Sequence, residues 1–246
     1  MNEQPRRQAL VLVLGGIAAA ASGCASRRAS SDPLVSGGGV GTGADFDSEA
    51  PASSSRAEEL LREWRERGSG APVTSISGVT PRTAWAKAST IERLANPLGK
   101  VNRITVHHDG MNAFTSTREA DSRQRLEQIR SAHVGQGWAD IGYHFAIDPA
   151  GRVFEGRPLR FQGAHVKDNN ENNVGVLMLG NFMETRPSSA SLTSLDGFLA
   201  NLMSRFGVPV GRVYTHQELK ATACPGTHLQ RYMLDTRSRA GRLARA

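Results

Sequence analysis

A β-branched run that ends in two histidines occupies residues 103–110, Arg103-Ile104-Thr105-Val106-His107-His108-Asp109-Gly110. β-Branched side chains pack well on a pleated surface, so the run predicts a β-strand over residues 103–107. Asp109 and Gly110 then favour a turn that ends the strand. We therefore expect His107 at the end of a core strand, which is where ligands gather in open sheets.

Helix and strand patterns alternate on the C-terminal side of this strand. Residues 118–134 predict a helix, with Leu126 and Ile129 along one side. Two short apolar runs, residues 142–147 and 152–155, flank an Asp-Pro-Ala-Gly turn signature. Such an arrangement predicts a β-hairpin.

A nearly all-apolar strand and a long helix follow. Residues 174–179 have the composition of a strand that is buried on both faces. Apolar residues recur at helical spacing over residues 192–206, and Thr193-x-x-Asp196 resembles a capping box for this helix. Gly207 then ends the helix, and residues 212–215 predict one more short strand.

This order of elements predicts an α/β fold. Strands that alternate with helices, together with one hairpin, indicate a single domain with a central mixed β-sheet flanked by helices. The domain is expected over residues 73–235. The chain of 246 residues is 39% hydrophobic and 22% charged, which excludes both wholesale disorder and a polytopic membrane protein.

The first 72 residues do not have the pattern of a folded domain. Residues 1–23 combine a basic start, an apolar run over residues 9–21 and a small-residue end, which indicates an export signal. The run is too short to span a bilayer. Because Cys24 follows directly, the segment resembles a bacterial lipoprotein signal, which implies lipidation of Cys24. Residues 24–72 are expected to be a disordered tether with a short amphipathic helix over residues 55–67.

Basic residues outnumber acidic ones in the chain. Thirty Lys and Arg against 23 Asp and Glu give a net charge of +7, which favours polyanionic surroundings such as nucleic acid, acidic lipid or cell-wall polymer. Residues 236–246 carry several of the arginines and are expected to form a solvated basic tail. No aromatic residues interleave with these arginines, and an exported protein seldom meets nucleic acid, so no nucleic-acid partner is expected.

A second histidine and a cysteine lie near the C-terminal end of the expected domain. His216 stands at a strand end, and Cys224 follows eight residues later. Both are good zinc ligands, although on this segment alone a surface histidine and a buried thiol are the simpler interpretation. If His107 converges with them, two imidazoles and one thiolate would leave the fourth position of a zinc ion for water, which is the catalytic arrangement.

Seven sequence blocks occur in a fixed order: Pro81-Arg82-Thr83-Ala84-Trp85, residues 104–108, 138–145, 151–157, 163–165, 173–176 and 216–226. Together they resemble the zinc-dependent N-acetylmuramoyl-L-alanine amidases, the family shared by phage lysozyme-amidases and animal peptidoglycan recognition proteins. The resemblance covers nearly the whole of the expected domain. Because the blocks keep their order, the set is far more specific than any single block.

The resemblance implies a zinc cleft on one side of the sheet. His107, His216 and Cys224 fall on the three protein ligands of one zinc ion, and Tyr143 falls on the catalytic tyrosine. Thr222 matches a threonine of the animal enzymes, where the phage enzymes carry lysine, and is the second catalytic candidate. Family members that only bind peptidoglycan typically lack the cysteine, so Cys224 favours an enzyme.

Four further residues fall near the implied cleft and are candidates for binding substrate: His108, His144, His165 and Arg157. Adjacent strand residues face opposite ways, so only one of His107 and His108 can reach the metal, and the family match selects His107. For His144 and His165 a structural role is an equal alternative.

The implied activity is hydrolysis of the amide between N-acetylmuramic acid and L-alanine of the stem peptide, for wall remodelling or turnover. Zinc would activate a water molecule for attack on the lactyl carbonyl, and the Tyr143 hydroxyl would help to stabilise the oxyanion. Thr222 would orient the water or the carbonyl. Glu218 is either a partner that orients the His216 imidazole or a solvated loop carboxylate.

Alternatives from other classes stay open on the sequence alone. Within the enzymes, the alternative is an amidase that recycles anhydro-muropeptides. Outside them, the alternatives are a non-catalytic peptidoglycan-binding module and a structural lipoprotein. The expected partners are peptidoglycan or muropeptides, together with a membrane reached through the lipid anchor. The expected location is the periplasm, and the expected state is a monomer.

Overall fold

The structure is a computed structural model that describes residues 76–245. The expected export signal at residues 1–23, the lipidation site Cys24 and the tether of residues 24–72 lie outside the described residues. The domain expected from residue 73 is thus seen from Ile76 onward, and the Ile76 side chain is already buried in the core.

Within residues 76–245, six strands form one mixed sheet. They are β1 (Val79–Thr80), β2 (Arg103–His108), β3 (Phe145–Ile147), β4 (Val153–Glu155), β5 (Asn173–Met178) and β6 (Val213–Thr215). Their order across the sheet is β1-β4-β3-β5-β2-β6. The hairpin strands β3 and β4 pair antiparallel, and the other neighbours pair parallel. The expected central mixed sheet is confirmed.

Helices cover both faces of this sheet. They are α1 (Glu119–Gly135), α2 (Ser189–Phe206), α3 (His216–Leu219) and α4 (Thr227–Arg237). Single 3-10 turns span Arg82–Ala84, Glu92–Leu94, Val210–Arg212 and Leu243–Arg245. Over residues 76–245, none of the helices has the length and apolar composition that crossing a membrane requires.

The two faces of the sheet bury separate apolar clusters. Ile104 and Val106 of β2 pack in the cluster that contains the buried residues of α2 and α4. Leu126 and Ile129 of α1 belong to the cluster on the other face. Side chains alternate along a strand, so His107 points towards the α1 face. The register of β2 thereby decides on which side of the sheet a site can form.

The start of α2 differs from the prediction. Ser188 is extended, and its hydroxyl accepts a hydrogen bond from the backbone N–H of Ser191 at 3.0 Å, which caps the helix. Thr193 and Asp196 therefore lie inside α2, and the predicted capping box was wrong. Asp196 instead accepts a hydrogen bond from the Tyr232 hydroxyl at 2.6 Å, which joins α2 to α4.

The prediction of a solvated basic tail over residues 236–246 holds only in part. Arg239, Arg242 and Arg245 are exposed, but the segment packs on the domain. α4 continues to Arg237, whose guanidinium forms an ion pair with Glu218. Leu243 is only 1% exposed and packs in the cluster that α2 and α4 cover. Burying a leucine side chain is worth about 1.5–3 kcal/mol, which is a physical reason for the basic segment to fold back.

Candidate metal centre

Three side chains from two distant segments of the chain meet at the carboxyl end of β2. One ligand atom from each of His107, His216 and Cys224 lies within 4.8 Å of the other two. Sγ of Cys224 is 3.6 Å from Nδ1 of His107, and the two imidazole centroids are 4.8 Å apart. All three residues are buried. The structure therefore brings together the three ligands that the sequence suggested.

The geometry and chemistry of this cluster fit zinc. Bonds of about 2.0–2.1 Å to nitrogen and 2.3 Å to sulfur in a tetrahedron separate a sulfur and a nitrogen ligand by about 3.6 Å. Sγ of Cys224 and Nδ1 of His107 have this separation. Three protein ligands with one further position also match the donor count of catalytic rather than structural zinc sites.

Burial keeps His107 in the form that binds metal. Desolvation lowers the pKa of His107 well below its usual value, and the neighbouring His216, His165 and His108 lower it further. A metal binds the neutral imidazole, so protonation does not compete with binding at neutral pH. The residue is thus prepared as a ligand by its surroundings.

His107 is held by the sheet and by a second imidazole. Its strand, β2, pairs with β5 on one side and β6 on the other. Nε2 of His107 lies 3.0 Å from Nδ1 of His165, and Nε2 of His165 lies 3.2 Å from the carbonyl oxygen of Asn173. The nitrogen of His107 that faces Cys224 is therefore Nδ1.

His216 and Cys224 belong to one irregular segment that follows β6. His216 is the first residue of α3. The backbone N–H of Gln217 donates to the Cys224 carbonyl at 3.0 Å and closes the loop between the two ligands. The backbone N–H of His108 donates to Cys224 Sγ at 3.4 Å.

Glu218 fastens this segment in a way that the sequence did not suggest. Its carboxylate accepts from the backbone N–H of Thr215 at 2.7 Å and from the Arg237 guanidinium at 2.6 and 2.9 Å. Gln230 donates to it at 3.3 Å. The carboxylate therefore joins α3 to α4 and is not the solvated loop group that was one of the two predicted roles. The other role, orienting the His216 ring, stays a prediction.

Tyr143 lies against the cluster. Its ring centroid is 5.1 Å from that of His107 and 6.3 Å from that of His165. Burial raises the pKa of its hydroxyl above the usual value, and the negative charges of Cys224 and Asp109 raise it further. The hydroxyl therefore stays protonated and can act as a hydrogen-bond donor.

A cavity of about 100 Å³ opens between Tyr143 and α1. Met111 and Ile129 supply apolar walls, and Gln128 and Gln136 supply polar ones. Tyr143 thus lines the cavity together with residues of α1.

Thr222 lies two residues before Cys224 and is half-buried. Its Oγ1 accepts a hydrogen bond from the backbone N–H of Cys224 at 3.2 Å. This contact uses the hydroxyl oxygen as an acceptor, so the hydroxyl proton can be donated to another group. Thr222 thereby helps to shape the loop that carries Cys224.

His108 and His144 lie in the framework beneath the cluster. Nδ1 of His108 accepts from the backbone N–H of Phe182 at 3.1 Å, and Nδ1 of His144 accepts from that of Gly175 at 3.0 Å. Burial lowers the pKa of each histidine to about 4. Because both rings are buried, neutral and bonded to the backbone, these contacts support a structural role rather than substrate binding.

Arg157 is likewise buried in the framework. Its guanidinium donates to the backbone carbonyls of Asp140, Ile141 and Gln162 at 3.1, 2.9 and 2.7 Å. Burial lowers the pKa of Arg157 to about 10, which leaves it charged at neutral pH. It holds in place the turn that leads into Tyr143.

A buried ion pair beside the cluster was not predicted from the sequence. Arg125 of α1 donates to the two carboxylate oxygens of Asp109 at 2.8 and 3.1 Å, and the N–H of Gly180 donates at 3.0 Å. The pair fastens α1 to the end of β2. The sequence contains a signal for this pair. Arg125 lies one helical turn from the buried Ile129, so the spacing predicts that Arg125 is buried as well, and a buried arginine requires an acidic partner.

Comparison with known proteins agrees with this geometry. A sequence model of the family described as N-acetylmuramoyl-L-alanine amidase matches residues 97–227. Peptidoglycan-recognition protein SC2 of Drosophila melanogaster is 36% identical over 162 residues, which cover 65% of this chain and 83% of that protein. An N-acetylmuramoyl-L-alanine amidase of Sus scrofa is 31% identical over 179 residues, which cover 70% of this chain but only 29% of that protein.

The fold has relatives among solved structures. The structure of bumblebee PGRP-SA aligns with a TM-score of 0.59 and 27% sequence identity. The alignment covers 65% of this chain and 95% of the bumblebee chain. Sequence and fold comparisons thus lead to the same group of proteins as the seven sequence blocks.

Proposed function

The chain belongs to the N-acetylmuramoyl-L-alanine amidase family, and we propose that it is an active, zinc-dependent member. The proposed reaction is hydrolysis of the amide that joins N-acetylmuramic acid to L-alanine of the peptidoglycan stem peptide. The observation that carries the proposal is the convergence of His107, His216 and Cys224 within 4.8 Å. A protein that only bound its ligand would have no need of a buried donor set that suits a catalytic metal.

His107, His216 and Cys224 would hold one zinc ion. When bound there, zinc supplies Lewis-acid polarisation and lowers the pKa of a water molecule towards neutrality. The ligands themselves determine the charge of the site, since two neutral imidazoles and one thiolate leave the centre with a net positive charge. The backbone N–H of His108 would donate to the sulfur at 3.4 Å and help to hold it in place.

Tyr143 would stabilise the oxyanion that develops on the scissile carbonyl. The hydroxyl is protonated because burial and neighbouring negative charge raise its pKa. Preorganised donors of this kind stabilise charge as it develops and need no reorganisation during the reaction. The cavity between Tyr143 and α1 would hold the adjoining part of the substrate.

Thr222 would orient a reacting group near Cys224. Its oxygen is already engaged by the Cys224 backbone, so the direction of its hydroxyl proton is restricted. Arg125 and Asp109 would keep the α1 wall of the cavity at a fixed distance from the strand that carries His107.

The proposed setting is the periplasm. The support is the pattern of residues 1–23, which is that of an export signal, and Cys24, which would carry the lipid anchor. One lipid chain alone binds a membrane weakly, and two or more give stable anchoring. Substrates would then be peptidoglycan or its muropeptide fragments, and the protein would act as a monomer.

The test of the activity is mass spectrometry of a defined muropeptide incubated with the purified chain. Zinc-loaded protein should release the free stem peptide, chelated protein should release none, and adding zinc back should restore release. Parallel reactions with intact wall and with anhydro-muropeptide show which substrate is preferred. Binding of the muropeptide without cleavage by fully zinc-loaded protein would contradict the proposal and favour a recognition module.

A further inference from the structure

His165 bridges the proposed metal ligand and the backbone of a central strand. It is 6% exposed, and each ring nitrogen has one partner: Nδ1 lies 3.0 Å from His107 Nε2, and Nε2 lies 3.2 Å from the Asn173 carbonyl oxygen. The two imidazole planes are nearly perpendicular, at 82°. The ring thus forms a continuous chain of hydrogen bonds from β5 to the metal cluster.

The hydrogen bond to Asn173 determines which ring nitrogens of His165 and His107 carry protons. A backbone carbonyl can only accept, so Nε2 of His165 must carry the proton of that hydrogen bond. In a neutral ring Nδ1 of His165 is then an acceptor, and Nε2 of His107 must donate to it. Nδ1 of His107 is left with its lone pair, on the side that faces Cys224.

We propose that His165 is a positioning residue that holds His107 in the one tautomer able to bind zinc through Nδ1. The proposal rests on the proposed function, because it concerns a residue that serves the same zinc site. Partners of this kind orient a ligating imidazole and raise its basicity. The proposal replaces the substrate-binding role that the resemblance suggested for His165.

The Asn173 carbonyl is itself held in place. The Thr105 hydroxyl donates to Asn173 Oδ1 at 2.9 Å, and Asn173 Nδ2 donates to the Asn169 carbonyl at 2.8 Å. Asn173 also begins β5, opposite Arg103 of β2. Asn173, which accepts the hydrogen bond from His165, therefore belongs to the strand that pairs with the strand of His107.

Two glycines leave room for the His165 ring. A Cβ atom added at Gly175 would lie 2.6 Å from a ring carbon of His165, and one at Gly163 would lie closer still. Both distances are shorter than real Cβ contacts. The ring is thus enclosed by backbone, so its orientation is determined by the sheet rather than by the flexibility of its own side chain.

The direct test is nuclear magnetic resonance of metal-free protein with ¹⁵N-labelled histidines. The proposal predicts that His107 and His165 each carry a single proton, on Nε2. This measurement uses no substituted residue and no substrate, so it is independent of both folding defects and hydrolysis. A proton on Nδ1 of His107, or a mixture of tautomers, would overturn the proposal.

Two variants test the consequence for metal binding. His165→Leu removes the acceptor and should weaken zinc affinity by roughly 10- to 100-fold, measured in competition with a chelator. His165→Asn places a carbonyl oxygen near the position of Nδ1 and should recover most of that loss. His107 should show mixed tautomers in the first variant and the Nε2 proton in the second.

His144→Leu is the matched control. His144 is also buried and bonded to backbone through both ring nitrogens, at Gly175 and Phe161, so its loss costs similar packing. Its ring also packs on His165, with centroids 5.9 Å apart, but it makes no hydrogen bond to His107, so the variant should change the His107 tautomer and zinc affinity far less than His165→Leu does. Equal zinc affinity in the His165→Leu and wild-type proteins would overturn the proposal. A protein that shows the predicted tautomers but cleaves no muropeptide would refute the proposed function alone.

Discussion

The two halves of the metal cluster are built differently. His107 comes from β2, which is paired on both sides, and is supported by buried hydrogen bonds through His165. His216 and Cys224 come from an irregular segment that is held by the Glu218–Arg237 ion pair, here called the clasp. The Glu218 and Arg237 side chains are 25% and 14% exposed. The strand half is therefore fixed by the core, and the loop half is fixed by polar contacts near the surface.

This difference separates ligand placement from fold stability. A change in the strand half disturbs the core and the metal together. A change in the loop half can disturb the clasp while the sheet stays intact. Substitutions in the two halves should therefore differ in their effects on zinc affinity and on fold stability.

Replacing the sulfur ligand should have the largest effect. Cys224→Ser removes the thiolate, so we expect it to lose zinc on dialysis and to lose hydrolysis of a muropeptide, because the loop half then offers only His216. The fold should survive, which thermal unfolding of the metal-free proteins would show. Full turnover by this variant would contradict the assignment of Cys224 as a ligand.

Removing the Tyr143 hydroxyl should affect chemistry without affecting either half of the cluster. Tyr143→Phe keeps the ring that packs on His107. We expect turnover to fall by about 10²- to 10³-fold, the usual cost of losing one oxyanion donor, with unchanged zinc affinity. If zinc affinity fell along with turnover, Tyr143 would be a structural support of the strand half instead.

Adding a methyl group beside His165 should damage the strand half from outside the cluster. In Gly175→Ala the new Cβ would lie 2.6 Å from the His165 ring, so the ring must move. We expect a loss of about 1–3 kcal/mol in unfolding free energy, together with weaker zinc binding.

Gly197→Ala provides the control for Gly175→Ala. Gly197 lies inside α2 with no atoms within 4 Å of an added Cβ. Chemical denaturation should show a gain of up to about 1 kcal/mol, because alanine favours the helix. A harmless Gly175→Ala substitution would mean that the His165 ring is not enclosed as described.

Weakening the clasp should have the smallest effect. Burial alone would raise the pKa of Glu218, but hydrogen bonds from Arg237 and Thr215 outweigh it and hold that pKa below its usual value. Glu218→Gln should therefore cost about 1 kcal/mol or less at neutral pH. Zinc affinity should fall only slightly.

The pH dependence of this effect follows from the lowered pKa. The contribution of ionised Glu218 is complete above the carboxyl pKa of the unfolded chain, about 4.3, and is lost as pH falls through the lower folded-state value. Unfolding curves of wild type and Glu218→Gln should thus differ at pH 7, and the difference should shrink as the pH falls below the carboxyl pKa of the unfolded chain. Glu92→Gln, which breaks an exposed ion pair with Arg160, should show no gap over the same pH range.

Sequence patterns predicted the parts of the molecule that depend on neighbours in the chain. The periodicity of residues 118–134 and the β-branched run of β2 predicted their elements, because local packing surfaces determine both. The family resemblance then supplied the ligand set, which spacing alone left open.

Contacts between distant residues were not predictable in this way. His165 meets His107 across 58 residues, and Arg237 meets Glu218 across 19. No periodicity records such a pairing, because it arises only when sheet and helices assemble. The misplaced start of α2 has a different cause, since several hydroxyl residues near position 190 offer alternative caps.

X-ray absorption spectroscopy at the zinc edge of the zinc-loaded protein tests directly whether His107, His216 and Cys224 bind the same zinc ion. If the strand half and the loop half converge on one ion, the spectrum should show one sulfur at about 2.3 Å and two imidazole nitrogens at about 2.0–2.1 Å. Any zinc that Cys224→Ser retains should show no sulfur neighbour. A zinc ion without a sulfur neighbour in the wild type, or with one imidazole only, would show that the three residues do not share one zinc ion.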